Sequence, residues 1–596
     1  MQIITHKSNS LTVCQKFFIE KSLELLYIGS IDSYRVRLNN PKSILVELKY
    51  CLQEFDSGRI LHFQTIKAKD PKKKAIIDEA IFFLNYNPNY LTFSSISFKY
   101  LEQLFKTIDE NNYRKVISCI QILLSENLDY LNTVIDGLEG LINLNDSSSP
   151  VLENIDKTLN IIFSELIRLG YSKGFLYKLV YGIFVNSLQQ SRNFHDHFNN
   201  FKARILDVPS EYNVIFRIDT TQKVYESITA IPNQNLSLSD NIDTIQLIGR
   251  HRTELASFNS PVHARKFIRC KISSHDYLSA LKSARYVLSE YLDVINLGLS
   301  DEFLQIHNRA LIIDSRSPEK GEFQNNVNIL DGKYIVEKDH YIAFSKKLPD
   351  ILNNTNVQTE TKQKVKSAIR YLRLGNQSTE IEHKFINYWI GLEYLFSNYE
   401  NQSTINRIKD HFINAHSLAY VKRNVHSFKK TISQLSQPYQ LLVPAYNAAN
   451  DNCLNQESFY DEIATHLLND YPLLAYRGMK LKQWLFHDGK PANASDYLNN
   501  HRTNLEIHFT RIYRLRNEII HDAATDTNNE QISSNLRYYL TFILNELIDF
   551  LSKVTDKETS IEDYFILNEI KIGNIAQNGY LLDDLLEVDC SIGFIS

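Results

Sequence analysis

The sequence predicts a mainly α-helical protein: an N-terminal helical region, then a mixed α/β module, then a C-terminal antiparallel helical bundle. Three observations carry this. Apolar residues recur at spacings of three and four through Tyr100–Leu123 and Val151–Val185. Strand-like alternation is confined to the middle, as where Tyr212, Val214, Phe216 and Ile218 are set against mostly polar alternates. Helical periodicity returns after residue 358 and runs to about residue 553.

The N-terminal region is read as residues 1–205, with the polar loop Asn145–Pro150 between its two clearest helical stretches. Lys67, Lys69, Lys72, Lys73 and Lys74 cluster around Asp70-Pro71, as expected of a solvated loop. The α/β module spans 206–350. Its expected strands are Glu211–Asp219, Lys266–Ile272 and Ala310–Asp314. Ser274 is the expected cap of a helix to Leu297 that aligns Tyr277, Leu281, Ala284 and Leu288. Asp331-Gly332 between extended runs predicts a hairpin across Asn326–Ala343.

The third region, 358–553, opens with a helix over Gln358–Leu374, with Gly375 as its expected C-cap. That helix aligns Lys362, Lys366, Arg370 and Arg373 as a basic stripe, either a solvated face or a track for RNA. Thr379 caps the next helix, which runs to about Tyr399. Residues 400–494 read as an irregular helical insertion that carries a basic stretch with Lys422 and Arg423. A long helix follows from about Ser495 to Asp522, then a polar turn at 523–529, then a final helix over about Gln531–Lys553 with Ile532, Leu536, Leu540, Ile543, Leu547 and Phe550 as its apolar stripe. The tail, 554–596, reads as acidic and irregular.

Composition narrows the class. The chain has 596 residues, 43% hydrophobic, 22% charged, and a net charge of −4, so any nucleic-acid contact must come from local patches. Six cysteines are scattered without a Cys-x-x-Cys pair, which argues against zinc ribbons and disulfide frameworks. No run reaches the roughly 18 apolar residues of a membrane helix, and the N-terminus lacks a signal peptide's apolar core. A cytoplasmic protein without membrane contact is expected. Richness in Asn, Ile, Lys and Tyr fits an AT-rich bacterial genome.

Chemistry concentrates in one stretch, R-I-Y-R-L-R-N-E-I-I-H-D, residues 511–522. At about 100° per residue, Tyr513, Asn517 and His521 share one helix face. Arg516 and His521 are separated by roughly 140° and about 7.5 Å, close enough for a long arginine to reach round. Cleaving RNA through its own 2′-OH needs a base, an acid and a cation for the phosphate, and no metal. Histidine serves either proton role, arginine grips phosphate oxygens, and an amide orients its neighbours. A two-fold dimer would bring two copies of each group into one cleft. The bland alternative is a histidine favoured by the helix dipole beside surface arginines, since an Arg-x4-His string also arises by chance.

Arg516-Asn517-Glu518-Ile519-Ile520-His521 resembles the R-N-x-x-x-H motif of HEPN-domain ribonucleases. It stands at the end of the penultimate long helix, where that family carries it. The run F-I-N-Y-W-I-G-L-E-Y-L-F, Phe385–Phe396, resembles another helix of the domain, most of all in Apea-like HEPN proteins of bacterial antiphage defence. The likeness covers about 358–553, roughly a third of the chain. It implies a HEPN-like bundle that dimerises through the motif helices and cleaves RNA, such as tRNA, without a metal or other cofactor. Arg516 would bind the scissile phosphate, Asn517 would orient, and His521 would be the general acid or base. Glu393, alone among apolar neighbours, would brace Arg516 or sit at an exposed edge. Tyr513 and Arg514 would be supporting residues of the site. His501 and His508 are read as structural. The expected function is an endoribonuclease effector of toxin or abortive-infection type, with residues 1–350 receiving a phage-derived or cellular trigger. Two alternatives stand: a non-catalytic HEPN dimerisation or nucleotide-binding scaffold, and a helical adaptor with an accidental motif.

Overall fold

The structure is a computed structural model. It describes residues 3–4, 11–27, 39–60, 63, 66–67, 76–86, 94–126, 129–186, 193–230, 236–242, 245–249, 251–260, 265–299, 304–325, 327, 338–378, 380–398, 403–521, 530–555 and 558–590. Mainly helical, with a five-stranded antiparallel sheet and a two-stranded hairpin among the described residues, the chain divides into two compact units. One comprises Met1–Glu165 together with Leu330–Ser596, and the other Leu166–Ile329.

The first unit begins with α1 (Val13–Leu26), α2 (Pro41–Asp56), α3 (Ile76–Tyr86), α4 (Phe98–Lys106), α5 (Tyr113–Glu126), α6 (Tyr130–Ile142) and α7 (Ser149–Arg168). Capping boxes start the first two: Thr12 with Gln15, and Asn40 with Ser43. The helical stretch expected at Tyr100–Leu123 is interrupted. The Asp109 carboxylate accepts the backbone N–H groups of Asn111 and Asn112, and this local turn outcompetes the helix. Val151–Val185 breaks likewise at Gly170, whose φ is 104°. Of the lysine cluster only Lys67 is described. It is partly buried, and its ammonium donates to the carbonyls of Lys106 and Ile108. Lys69, Lys72, Lys73 and Lys74 lie outside the described residues.

The second unit contains α8 (Lys173–Val180), α9 (Phe194–Ile205), β1 (Ser210–Thr220), α10 (Gln222–Ala230), β2 (Leu236–Ser239), α11 (His251–Phe258), β3 (Arg265–Ser274), α12 (Tyr277–Leu299), β4 (Leu304–Asp314) and β5 (Gly321–Gln324). The sheet order is β2-β3-β1-β4-β5, antiparallel throughout. Val214, Phe216 and Ile218 of β1 pack with Leu281, Ala284 and Leu288 of α12, while Ile215 faces Phe258 of α11. The cap of α12 is Asp276, not Ser274: Asp276 accepts from the N–H groups of Leu278 and Ser279. The same buried carboxylate also accepts from Ser172 N–H at 2.7 Å and Ser172 Oγ at 2.8 Å. That tie joins the start of α8 to the start of α12, so this unit begins at residue 166 rather than 206. It ends at 329 rather than 350. The Asp331-Gly332 turn lies outside the described residues, and Ala343 is helical rather than part of a hairpin strand.

The chain then returns to the first unit with α13 (Lys338–Asn353), α14 (Thr359–Gln377) and α15 (Ile381–Phe396). Gly375 is not the cap of α14. It is buried inside the helix, where an added Cβ would lie 2.3 Å from a carbon of the Tyr388 ring, so glycine is what lets α14 and α15 approach. Next come α16 (Thr404–Arg407), a π-helical turn at Ile408–Phe412, α17 (Ile413–Ser433), α18 (Gln437–Gln440), α19 (Glu457–His466), α20 (Pro472–Leu485) and a tight hairpin of β6 (Phe486–His487) and β7 (Lys490–Pro491). The two long helices follow as α21 (Ser495–His521) and α22 (Glu530–Ser552). The last pair is α23 (Ile561–Gln577) and α24 (Leu582–Glu587), so the tail is helical where irregular chain was expected. Ser560 forms a capping box with Asp563, Phe565 stacks on Phe396 at 4.8 Å, and Glu562 takes both oxygens to Arg407.

One core joins Trp389, Leu392 and Phe396 of α15 with Phe412, Leu505, Phe509, Ile512 and Leu540. A second joins Val425 and Phe428 of α17 with Tyr460, Leu474 and Leu485. The N-terminal helices dock on this body. Glu20 of α1 accepts the Leu473 N–H at 2.9 Å, and Phe17 meets Tyr476 edge to face at 5.1 Å. Among the described residues, no helix is long and apolar enough to cross a membrane.

Candidate functional site

Helix α21 runs the expected course. Asn493 Oδ1 takes the Ser495 N–H at its start. Leu505, Phe509, Ile512 and Leu515 enter the core, with Ile519 packed against it. His501 and His508, read as structural, are buried: His501 Nε2 lies 3.0 Å from His416 Nδ1, and His508 Nδ1 lies 2.9 Å from the Tyr539 hydroxyl.

The motif sits at the far end. Arg516 Nη1 donates to Asn517 Oδ1 at 3.1 Å, so the amide holds the guanidinium. Arg516 Nε is buried and has no hydrogen-bond partner among the described residues. Both side chains are half-buried, and Ile520 beyond them is exposed. His521 is the last residue of α21, and its side chain lies outside the described residues. The structure therefore unites Arg516 with Asn517, and helix rise sets the His521 backbone about 7.5 Å along the axis from Arg516.

Tyr513, one turn before Asn517, packs on Trp389 with ring centroids 6.0 Å apart. Glu393 does not brace Arg516. It accepts the Trp389 Nε1–H at 2.9 Å, which is how a carboxylate is tolerated within the apolar run of α15. Arg514 is likewise taken from the site. It pairs with Glu47 of α2, and its Nε lies 3.6 Å from Glu518 one turn on.

Arg511, unremarked in the sequence as a site residue, explains the geometry of this face. Residues 511, 514 and 518 form a ridge beside the motif. Arg511 reaches Glu47 through Nε and Nη2, each at 3.0 Å, and also Glu79 of α3. Burial pushes the Glu47 carboxyl up, but Arg511 and Arg514 outweigh it and hold it at about 2. For Glu79 burial wins, and its carboxyl is raised despite Arg511. Both guanidiniums are raised against the cost of burial, Arg511 by Glu47 and Glu79, and Arg514 by Cys51 ahead of Glu47 and Glu518. Nothing in a one-dimensional pattern signals that Glu47 and Glu79 would meet residues more than 400 positions away.

The expected RNA contacts separate into two groups. On α14, Lys366, Arg370 and Arg373 are exposed and Lys362 is half-buried, with Arg373 donating to Gln377. On α17 the basic pair turns inward. Lys422 donates to the Val588 carbonyl at 2.7 Å, and Arg423 donates to the Tyr538 hydroxyl while its guanidinium lies 5.2 Å from the Phe542 ring. Those contacts commit both side chains within the unit, where an RNA-facing surface was expected. Among the described residues, no group of three or more His, Cys, Asp or Glu is placed to hold a metal ion. Comparison with family models, curated proteins and solved structures finds no match to this chain.

Proposed function

We propose that the chain is a HEPN-like endoribonuclease that cleaves RNA by 2′-OH attack at the end of α21, as a cytoplasmic effector of toxin or antiphage type. The observation that carries the reading is the Arg516–Asn517 pair, with a buried unpartnered Nε, on the helix that ends in His521. An arginine with spare donors is suited to phosphate oxygens. Asn517 orients it, and His521 serves as acid or base. The α14/α15 pair, and the contacts of Tyr539 on α22 with His508 and Phe509 on α21, support the bundle that the resemblance implies. A homodimer through this end would supply the second histidine of an acid/base pair. The exposed Lys366, Arg370 and Arg373 are the candidate track for structured RNA such as tRNA.

A second reading, a non-catalytic dimerisation or nucleotide-binding scaffold, is favoured by one observation. Arg511 and Arg514 are neutralised by the chain's own carboxylates, which reduces the basic surface beside the motif. Induction of the wild type, Arg516→Ala and His521→Ala in bacterial cells, with and without phage, separates the two. Growth arrest with broken RNA in the wild type alone supports the nuclease. Protection with intact RNA in all three supports the scaffold.

A further inference from the structure

Arg217 stands at the centre of the sheet and is only 6% exposed. Its guanidinium makes one hydrogen bond, from Nη1 to the Phe258 carbonyl at 3.1 Å. Its Nε is buried without a partner, and no carboxylate of the described residues forms an ion pair with it. A buried guanidinium in this state is among the most costly arrangements in a fold unless an anion meets it.

The neighbouring strand repeats the pattern. The β1–β4 register shifts between Phe216 and Ile218, which pair with Ala310 and Ile306, so β4 bulges beside Arg217. That bulge carries His307 and Arg309. His307 Nδ1 and Arg309 Nε are both buried atoms without partners. Arg309 lies 4.7 Å from the centre of the Phe323 ring, and Phe323 lies 5.6 Å from Phe258, whose carbonyl holds Arg217. Arg217 on β1 and His307 and Arg309 on the bulged stretch of β4 thus sit on neighbouring strands, Arg309 at the Phe323 ring and Arg217 at the Phe258 carbonyl. Two acids stand nearby among the described residues: Asp219 shares the face two residues from Arg217, where one of its oxygens is buried and accepts no hydrogen bond, and Glu254 lies 3.4 Å from His251.

We infer that this face of the sheet binds a phosphoryl group. Two guanidiniums and an imidazole approach from adjacent strands, and an acceptor with three outward oxygens satisfies three such donors where a carboxylate offers two. Arg217 Nε, Arg309 Nε and His307 are the donors, the last two carried by the bulged stretch of β4. The site lies wholly within residues 166–329 and is independent of the RNA-cleavage reading. It makes this unit a receptor for free phosphate or for the phosphate of a nucleotide.

The test is calorimetric titration and thermal melting of the full chain with phosphate, pyrophosphate and ATP at constant ionic strength, with chloride as control. Saturable binding is expected for at least one probe, with a melting temperature raised by a few degrees at a hundredfold excess over Kd. Arg309→Ala and His307→Ala, at half-exposed positions, should each weaken it at least tenfold. Arg217→Met should abolish it and melt no lower than the wild type without ligand, because an uncompensated buried charge is removed. Equal affinity for phosphate and ATP identifies free phosphate as the ligand, and a preference for ATP identifies a nucleotide. Absence of binding at millimolar concentrations of all three probes overturns the inference. So does binding that Arg309→Ala and His307→Ala leave unchanged, whether or not Arg217→Met folds.

Discussion

Glu47 grips Arg511 with both carboxylate oxygens, Oε1 to Nε and Oε2 to Nη2, each at 3.0 Å. The pair joins α2 to the helix that carries the candidate site, five residues before Arg516. Both partners are largely buried. Glu47 serves both Arg511 and Arg514, so removing its charge leaves two largely buried guanidiniums with only Glu79 and Glu518 against them. Glu47→Gln should therefore destabilise the chain by about 3 kcal/mol, read as a lower midpoint in urea.

The same carboxylate sets an acid limb of stability. The ordinary Glu value is 4.5, and in the folded chain Glu47 is held at about 2. Its contribution is thus fully present above about pH 4.5 and is lost as pH falls toward about 2. Glu79, raised by burial, acts in the opposite sense: it favours folding while protonated and loses that contribution as pH rises. Urea midpoints measured from pH 6 down to pH 3 should fall in the wild type, and fall less in Glu47→Gln.

Gly375 is held to glycine by contact rather than by backbone angle. An added Cβ would meet three carbons of the Tyr388 ring at 2.3, 2.6 and 2.9 Å. That ring is fully buried, and its hydroxyl donates to Asn376, so it has little room to move. Alanine normally gains about 1 kcal/mol over glycine in a helix. Here Gly375→Ala should instead lower stability by about 1–3 kcal/mol, visible as a fall in melting temperature.

A buried polar group braces α17 against α21 and α22. The Tyr538 hydroxyl lies 2.9 Å from His416 Nε2 and accepts from Arg423, while His416 Nδ1 meets His501. Tyr538→Phe keeps the ring and removes the hydroxyl. It should cost about 1–3 kcal/mol, because buried donors and acceptors are left unmatched. Equal urea midpoints for this variant and the wild type would show that the hydroxyl contributes nothing.

The long helices were legible because their apolar stripes are long and regular: Leu505, Phe509, Ile512 and Leu515 on α21, and Leu536, Leu540, Ile543 and Leu547 on α22 are the residues that enter the core. The central strands were legible from the alternation around Val214 and Phe216. The breaks were less so. Asp109 and Asp276 act through side-chain hydrogen bonds that only a local turn reveals. The final helices carried a readable cue in Ser560 and Asp563, obscured by the acidic composition around them. At the site, adjacency in sequence sufficed to join Arg516 to Asn517. The partners of Arg511, Arg514, Glu393 and Arg423 depend on which helices meet, and tertiary packing alone decides that.

The most direct test is incubation of the purified chain with total bacterial RNA in excess EDTA, beside His521→Ala and Arg516→Ala. RNA cleavage at the end of α21 predicts fragments ending in 2′,3′-cyclic phosphate from the wild type, and none from either variant at equal folding and oligomeric state. Cleavage that persists in His521→Ala, or intact RNA with the wild type under every condition tried, would contradict it.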